Sequence, residues 1–200
     1  PIMNMLNQTM RHFFGLFAIA SILLPVCAFA NELPELVDNF KHQTQNNLGV
    51  QRQFMNDTVA GGSSESEVTV QGGKMHLTGN LIPPRGQPAW ASSILLLDAQ
   101  GKPMDASGYQ GIRLKVKINQ GLMSVSANSA EVENFDYHAA PVLIKADNQF
   151  HEVKLPFSSL KRAWSEQTSL DASTLNSLSI VAFAMQQSAY DFVIDEIGFY

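Results

Sequence analysis

From Glu67 to the C-terminus, apolar residues recur at every second position, and that period restricts the chain to half-buried β-strands. Ile112, Leu114, Val116 and Ile118 alternate with Arg113, Lys115 and Lys117 in the clearest case. Val68 and Val70 alternate with polar residues, Gln71-Gly72-Gly73-Lys74 turns, and Met75, Leu77 and Leu81 resume, which is a β-hairpin signal. Leu81 to Pro88 reads as a loop, because its three prolines cannot donate to a ladder. Trp90–Leu97, Leu122–Ala127, Tyr137–Ile144, Phe150–Phe157, Ile180–Met185 and Phe192–Phe199 are further expected strands. Asp98 to Pro103 is a turn, and Ser158 caps a short helical turn through Trp164. No long helical period interrupts this order and no internal repeat is visible. An antiparallel sandwich or barrel follows.

The first residues read differently. Arg11 precedes the apolar run Phe13 to Leu24, then Pro25 and Ala28-Phe29-Ala30. Charge, apolar stretch and small-residue site make residues 1–30 a signal peptide cleaved after Ala30. A membrane anchor is the competing reading, but the run falls short of the roughly 20 residues a span needs. The bulky Val26 before Cys27 weakens a lipoprotein reading. Residues 31–200 are then a single β-sandwich domain. Leu33, Leu36, Val37 and Phe40 have helical spacing, while Leu36 to Phe40 also reads as an opening strand. Gln43 to Gln51 is polar and loop-like.

Cys27 is the only cysteine and would leave with the signal, so no disulfide, thiol nucleophile or thiolate metal site remains. The fold must rest on an apolar core, and a chain of this length can bury about 70% of its unfolded surface. The net charge is −5, and loss of Arg11 makes it more negative. No basic run exists, which argues against nucleic acid and anionic membranes as partners.

Asn56 to Ser66 is the densest block of turn-forming residues. Two adjacent glycines permit left-handed backbone, and Asp57, Ser63 and Ser64 can bond back to the main chain. No Lys follows the glycines as in a phosphate-binding loop, and the dinucleotide fingerprint is absent. The block resembles the D-G-V-M-G-G-x-S loop of the NADH:ubiquinone oxidoreductase complex I intermediate-associated protein 30 family. Asp57, Val59, Gly61, Gly62 and Ser64 fit it, with Thr58 and Ala60 as departures. Gln87 to Ser92 is similar to the family's G-G-F-A-S segment, and Asp105 to Leu114 to its D-L-S-x-Y-D-G-I-x-L segment. Phe150 to Phe157 is similar to W-x-x-V-x-L-P-F, and Phe192 to Ile197 to F-x-I-D-x-I. The resemblance spans about residues 37–200 and implies a galactose-binding-like fold: all-β, an antiparallel β-sandwich of jelly-roll type.

Four constellations have chemical potential. Trp90, Phe135, Tyr137, Trp164 and Tyr190 could stack on sugar rings. Trp90, inside an apolar run, reads better as core, while Tyr137 and Trp164 sit in polar surroundings. Asp57, Gly61, Gly62, Ser63 and Ser64 could bind a ligand carboxylate or hydroxyl, or form a structural loop. Asp38, Asp195 and Glu196 could share a structural calcium by analogy with jelly-roll sugar modules, although three carboxylates supply few of its ligands. Glu131, Glu133 and Asp136 could supply a glycosidase pair, but nothing apolar nearby would raise a pKa. His42, His76, His138 and His151 lack metal-ligand spacing, and no serine-hydrolase elbow occurs. The expectation is a non-enzymatic, periplasmic or secreted module. It would bind a carbohydrate or related polar ligand, or else an envelope protein as an assembly factor, with no membrane contact after signal cleavage and no cofactor beyond that calcium.

Overall fold

Each outward turn of the chain from one sheet is answered by a strand in the other. The computed structural model describes residues 33–200, and the expected signal peptide lies outside them. The strands are β1 (Leu36–Asp38), β2 (Gln53–Asn56), β3 (Glu65–Gln71), β4 (Lys74–Leu81), β5 (Ala89–Leu96), β6 (Gly111–Gln120), β7 (Leu122–Ser129), β8 (His138–Pro141), β9 (His151–Pro156), β10 (Leu175–Ala184) and β11 (Ser188–Phe199). One sheet runs β3-β4-β11-β6-β9, with β1 added to β11, and the other runs β2-β5-β10-β7-β8. All pairings are antiparallel. The two orders match member by member, since β3 follows β2, β5 follows β4, β11 follows β10, β7 follows β6 and β9 follows β8.

The core lies between the sheets and is built unequally. The β3–β9 sheet supplies bulk: Met75, Leu81, Ile112, Leu114, Phe192 and Phe199 are fully buried. The β2–β8 sheet turns mostly smaller side chains inward, among them Ala89, Ala91, Ala127, Ala140 and Ala182. Small residues opposite large ones keep the layers interdigitated without voids. Leu95, Met123 and Leu178 add bulk from the same sheet, while Trp90 and Phe183 lie on its outer face.

Several local expectations change. The opening strand ends at Asp38, because Asp38 Oδ1 accepts the Phe40 N–H (2.9 Å) and Phe40 turns to a positive φ of 54°. β2 adds a strand to those expected, and it runs directly into the turn block at Asn56. Tyr137–Ile144 contracts to four residues. The expected helical turn from Ser158 to Trp164 reduces to a single 3-10 turn at Phe157–Ser159. Leu160 is already extended, and Lys161 exchanges two main-chain hydrogen bonds with Ala139 (2.8 and 2.9 Å). The free edge of β8 offers partners that a helix would forgo.

Candidate functional site

The Asp57 loop is tied inward. A 3-10 turn, Asp57–Ala60, ends at Gly61 with φ 84°. The buried Asp57 carboxylate accepts the Ser64 N–H (3.1 Å), the Ser64 hydroxyl (2.7 Å) and the Trp90 N–H (3.2 Å). Ser64 Oγ in turn accepts the Ile82 N–H (3.0 Å). A β-carbon on Gly62 would fall on the Asp57 carboxylate, so only glycine lets the chain close here. Asp57, Gly61, Gly62 and Ser64 thus fasten β2 to β3 and to the start of β5, while Ser63 is exposed.

The three carboxylates considered for calcium do not converge. Asp38 is buried against Arg52 (Nε–Oδ2 2.5 Å), whose guanidinium also lies over the Phe40 ring. Asp195 pairs with Lys115 (2.8 Å), and Glu196 pairs with Arg113. Among the described residues no group of three His, Cys, Asp or Glu side chains is arranged to hold a metal ion.

Asp136 ties the segment that carries Tyr137 to the main chain at Trp164. Its buried carboxylate accepts the N–H groups of Ala163 (2.7 Å), Trp164 (3.0 Å) and Ser165 (2.6 Å). Asn134 joins the same two loops, donating to Ser165 Oγ (2.9 Å) and accepting from Arg162 (3.0 Å). Phe135 between them takes a positive φ of 61°, rare for a bulky residue, and stands 78% exposed. Its ring meets Tyr137 edge-on at 6.3 Å, and Trp164 is 71% exposed. Burial alone pushes Asp136 upward, but the three N–H groups outweigh it and hold the carboxyl below its ordinary value. Glu131 behaves alike: burial raises it, while the Ser129 hydroxyl (2.6 Å) and Thr174 hydroxyl (3.1 Å) bring it lower. Both stay ionised near neutrality, whereas a glycosidase general acid needs a raised value.

The feature that sequence reasoning missed is the outer face of the β2–β8 sheet. Ala89, Ala91 and Leu95 of β5 enter the core, so Trp90, Ser92, Ile94 and Leu96 face out. Register then sets four rows across the sheet. Trp90, Phe183 and Leu122 form the first, and Ser92, Val181 and Ser124 the second. Ile94, Ser179 and Ser126 form the third, and Leu96, Ser177 and Asn128 the fourth. Asn128 Nδ2 donates to Ser177 Oγ (2.9 Å) and Ser179 Oγ (2.8 Å), and its Oδ1 accepts from Ser126 Oγ (2.8 Å). These four polar residues are buried although the register faces them outward, so their neighbours leave little of their surface exposed. The bonds from Asn128 do not use the protons of the Ser177 and Ser179 hydroxyls. Ala127 pairs with His138, the first residue of β8, and Tyr137 immediately precedes it at the Asn128 end of the sheet. Burial raises the Tyr137 phenol, which stays neutral. The result is a trough with a hydroxyl and amide floor, Trp90 and Phe183 at one end and Tyr137 with Phe135 and Trp164 at the other. A hollow of about 370 Å³ lies between Ile82–Gln87 and Met185–Gln187, the segments that precede β5 and follow β10. The sequence signal was present as serine and asparagine at alternate positions in β7 and β10.

Two wrapped antiparallel sheets with such a face define a jelly-roll β-sandwich resembling carbohydrate-binding modules. The sequence profile for Complex I intermediate-associated protein 30 matches residues 39–194, and the chain belongs to that family. Among curated protein sequences, none matches the chain. Among solved structures, it is similar to a family 11 carbohydrate-binding module from Clostridium thermocellum in complex with a β-1,3-1,4-mixed-linked tetrasaccharide. Identity is 16%, TM-score 0.58, and coverage 82% of this chain and 94% of that one. The family 11 module of the C. thermocellum cellulosomal cellulase Lic26A-Cel5E gives 16% identity, TM-score 0.58, and coverage of 82% and 92%. An agarase is similar at 8% identity and TM-score 0.55, over 82% of this chain but only 26% of the enzyme.

Proposed function

We propose that the chain is an exported, non-catalytic module that binds carbohydrate in the trough on the β2–β8 sheet. The observation that carries this reading is the buried Ser126-Asn128-Ser177-Ser179 floor between two aromatic ends. Aromatic faces suit the C–H faces of sugar rings, and fixed hydroxyls and amides suit their hydroxyl edges. The likeness in fold to a module complexed with a tetrasaccharide supports it. Catalysis is left out because Glu131 and Asp136 are engaged in holding loops and are kept ionised.

The test is calorimetry of the mature protein against a panel of soluble glycans. Binding in the micromolar-to-millimolar range is expected, roughly −4 to −8 kcal/mol. Trp90→Ala and Tyr137→Ala should each weaken it without lowering the melting temperature. An empty panel, or binding indifferent to both substitutions, overturns the reading. An assembly role with an envelope protein has its own observation: Leu122, Leu143 and Met185 are large apolar side chains, each at least 60% exposed. Stoichiometric capture of one envelope protein, lost with Leu122→Asp and Leu143→Asp, replaces the carbohydrate reading if no glycan binds.

A further inference from the structure

We infer that the trough selects an uncharged, extended glycan several rings long, lying along the strands from Trp90 to Tyr137; this rests on the carbohydrate reading above. The selectivity follows from the absence of charge. Among the described residues, no outward position of β2, β5, β10, β7 or β8 carries an ionisable acid or base. The outer face of the opposite sheet is crowded with them, with Lys74, His76, Lys115 and Asp191 among its outward residues and in ion pairs. Charges reappear on the framing loops, at Arg85, Glu131, Glu133, Asp136, Lys161, Arg162 and Glu166, with the Asp136 and Glu131 carboxylates engaged by main-chain and hydroxyl donors.

A uronate or sulfate lowered onto this floor would lose water and gain no counter-charge. A buried, unpaired anion is costly. A sugar hydroxyl exchanges water for serine and amide partners at little net cost. The protons of the Ser177 and Ser179 hydroxyls are not used by Asn128, which leaves the floor able to donate as well as accept.

Length follows from register. Successive rows are two residues apart along antiparallel strands, about 6.8 Å, so the four rows extend over about 20 Å. The apolar stacking surfaces lie in the first row and beside the fourth, and the middle rows are polar. A mono- or disaccharide can engage one aromatic end only, whereas an oligosaccharide reaching both gains the second ring without a second loss of translational freedom.

The experiment titrates the mature protein with a soluble neutral β-glucan, its oligosaccharides in order of length, and carboxymethylated and sulfated forms of the same glucan. Affinity should rise by about tenfold or more from disaccharide to spanning oligosaccharide and then level off. Neutral binding should change less than about twofold between low and high salt. The charged forms should bind more weakly. Val181→Lys should lose the neutral glucan and gain the carboxymethylated one, with Ser124→Lys on the neighbouring strand as a second variant if the first is unstable. Charged forms binding as well as the neutral glucan, in a Trp90-dependent manner, would overturn the selectivity and leave the carbohydrate reading standing. Affinity independent of length would overturn the extended mode in the same way. If no form binds, it is the carbohydrate reading itself that fails.

Discussion

Asp57 closes its loop with one carboxylate where small domains often use a disulfide or a metal. Its partners are main-chain and hydroxyl donors on two segments, at Ser64 and Trp90, and Gly62 leaves room for it by having no side chain. Gly62→Ala should therefore cost about 1–3 kcal/mol, the usual penalty for forcing an atom into filled space. Gly61→Ala meets no neighbour but must hold a left-handed φ, at roughly 1–2 kcal/mol. Thermal melts of both variants test this, and an unchanged melting temperature for Gly62→Ala would contradict the close approach. Asp57 also accepts from the Trp90 main chain. It is a positioning residue for the aromatic end of the trough, so Asp57→Ala should weaken glycan binding as well as stability, while Ser63→Ala should do neither.

At the scale of elements, what could be read in the sequence depended on which side chains carried the alternation. β6 was legible because bulky apolar residues alternate with Arg and Lys. β10 was read only from Ile180, because its first half alternates leucine with asparagine and serine and looks like a loop. Trp90 was assigned to the core because the residues that do enter it, Ala89 and Ala91, are small and set the phase of β5 without a strong hydropathic mark. The trough was hidden for the same reason, since serine is common in turns as well as on strand faces. The Asp136 clamp was hidden by sequence distance, joining residues 27 to 29 positions apart. Asp136→Ala should leave the N–H groups of Ala163, Trp164 and Ser165 without their acceptor, at about 1–3 kcal/mol for a buried group. Hydrogen exchange should then quicken at these three amides while the β10 and β11 amides stay protected. Equal acceleration throughout would show that the clamp belongs to the global fold rather than to the Trp164 loop.

Across the whole molecule the two sheets divide the work. The β3–β9 sheet supplies the bulky half of the core and an outer face saturated with ion pairs, and the alternation of charge announced it in the sequence. The β2–β8 sheet supplies a core face in which alanines are interspersed with Leu95, Met123, Leu178 and Ile180, and an uncharged outer face, framed at the Tyr137 end by loops that carboxylates hold down. That arrangement makes stability depend on pH in a definite direction. Asp136 and Glu131 both titrate below their ordinary values in the folded protein; burial opposes the shift, and hydrogen bonds to the charged form prevail. A carboxyl depressed on folding contributes its full stability above its unfolded value, about 3.9 for Asp. The contribution drains away as pH falls through the lower folded value, because the unfolded chain then binds the proton more readily. The melting temperature of the native chain should therefore hold level from neutrality towards pH 5 and drop below about pH 4. Asp136→Asn should melt lower at neutral pH, since an amide cannot accept from three N–H groups as a carboxylate does. The gap between the two should narrow as the native carboxyl protonates. Melting curves at half-unit pH intervals would decide it, and a gap that stays constant into acid would mean that Asp136 acts through packing rather than through its charge.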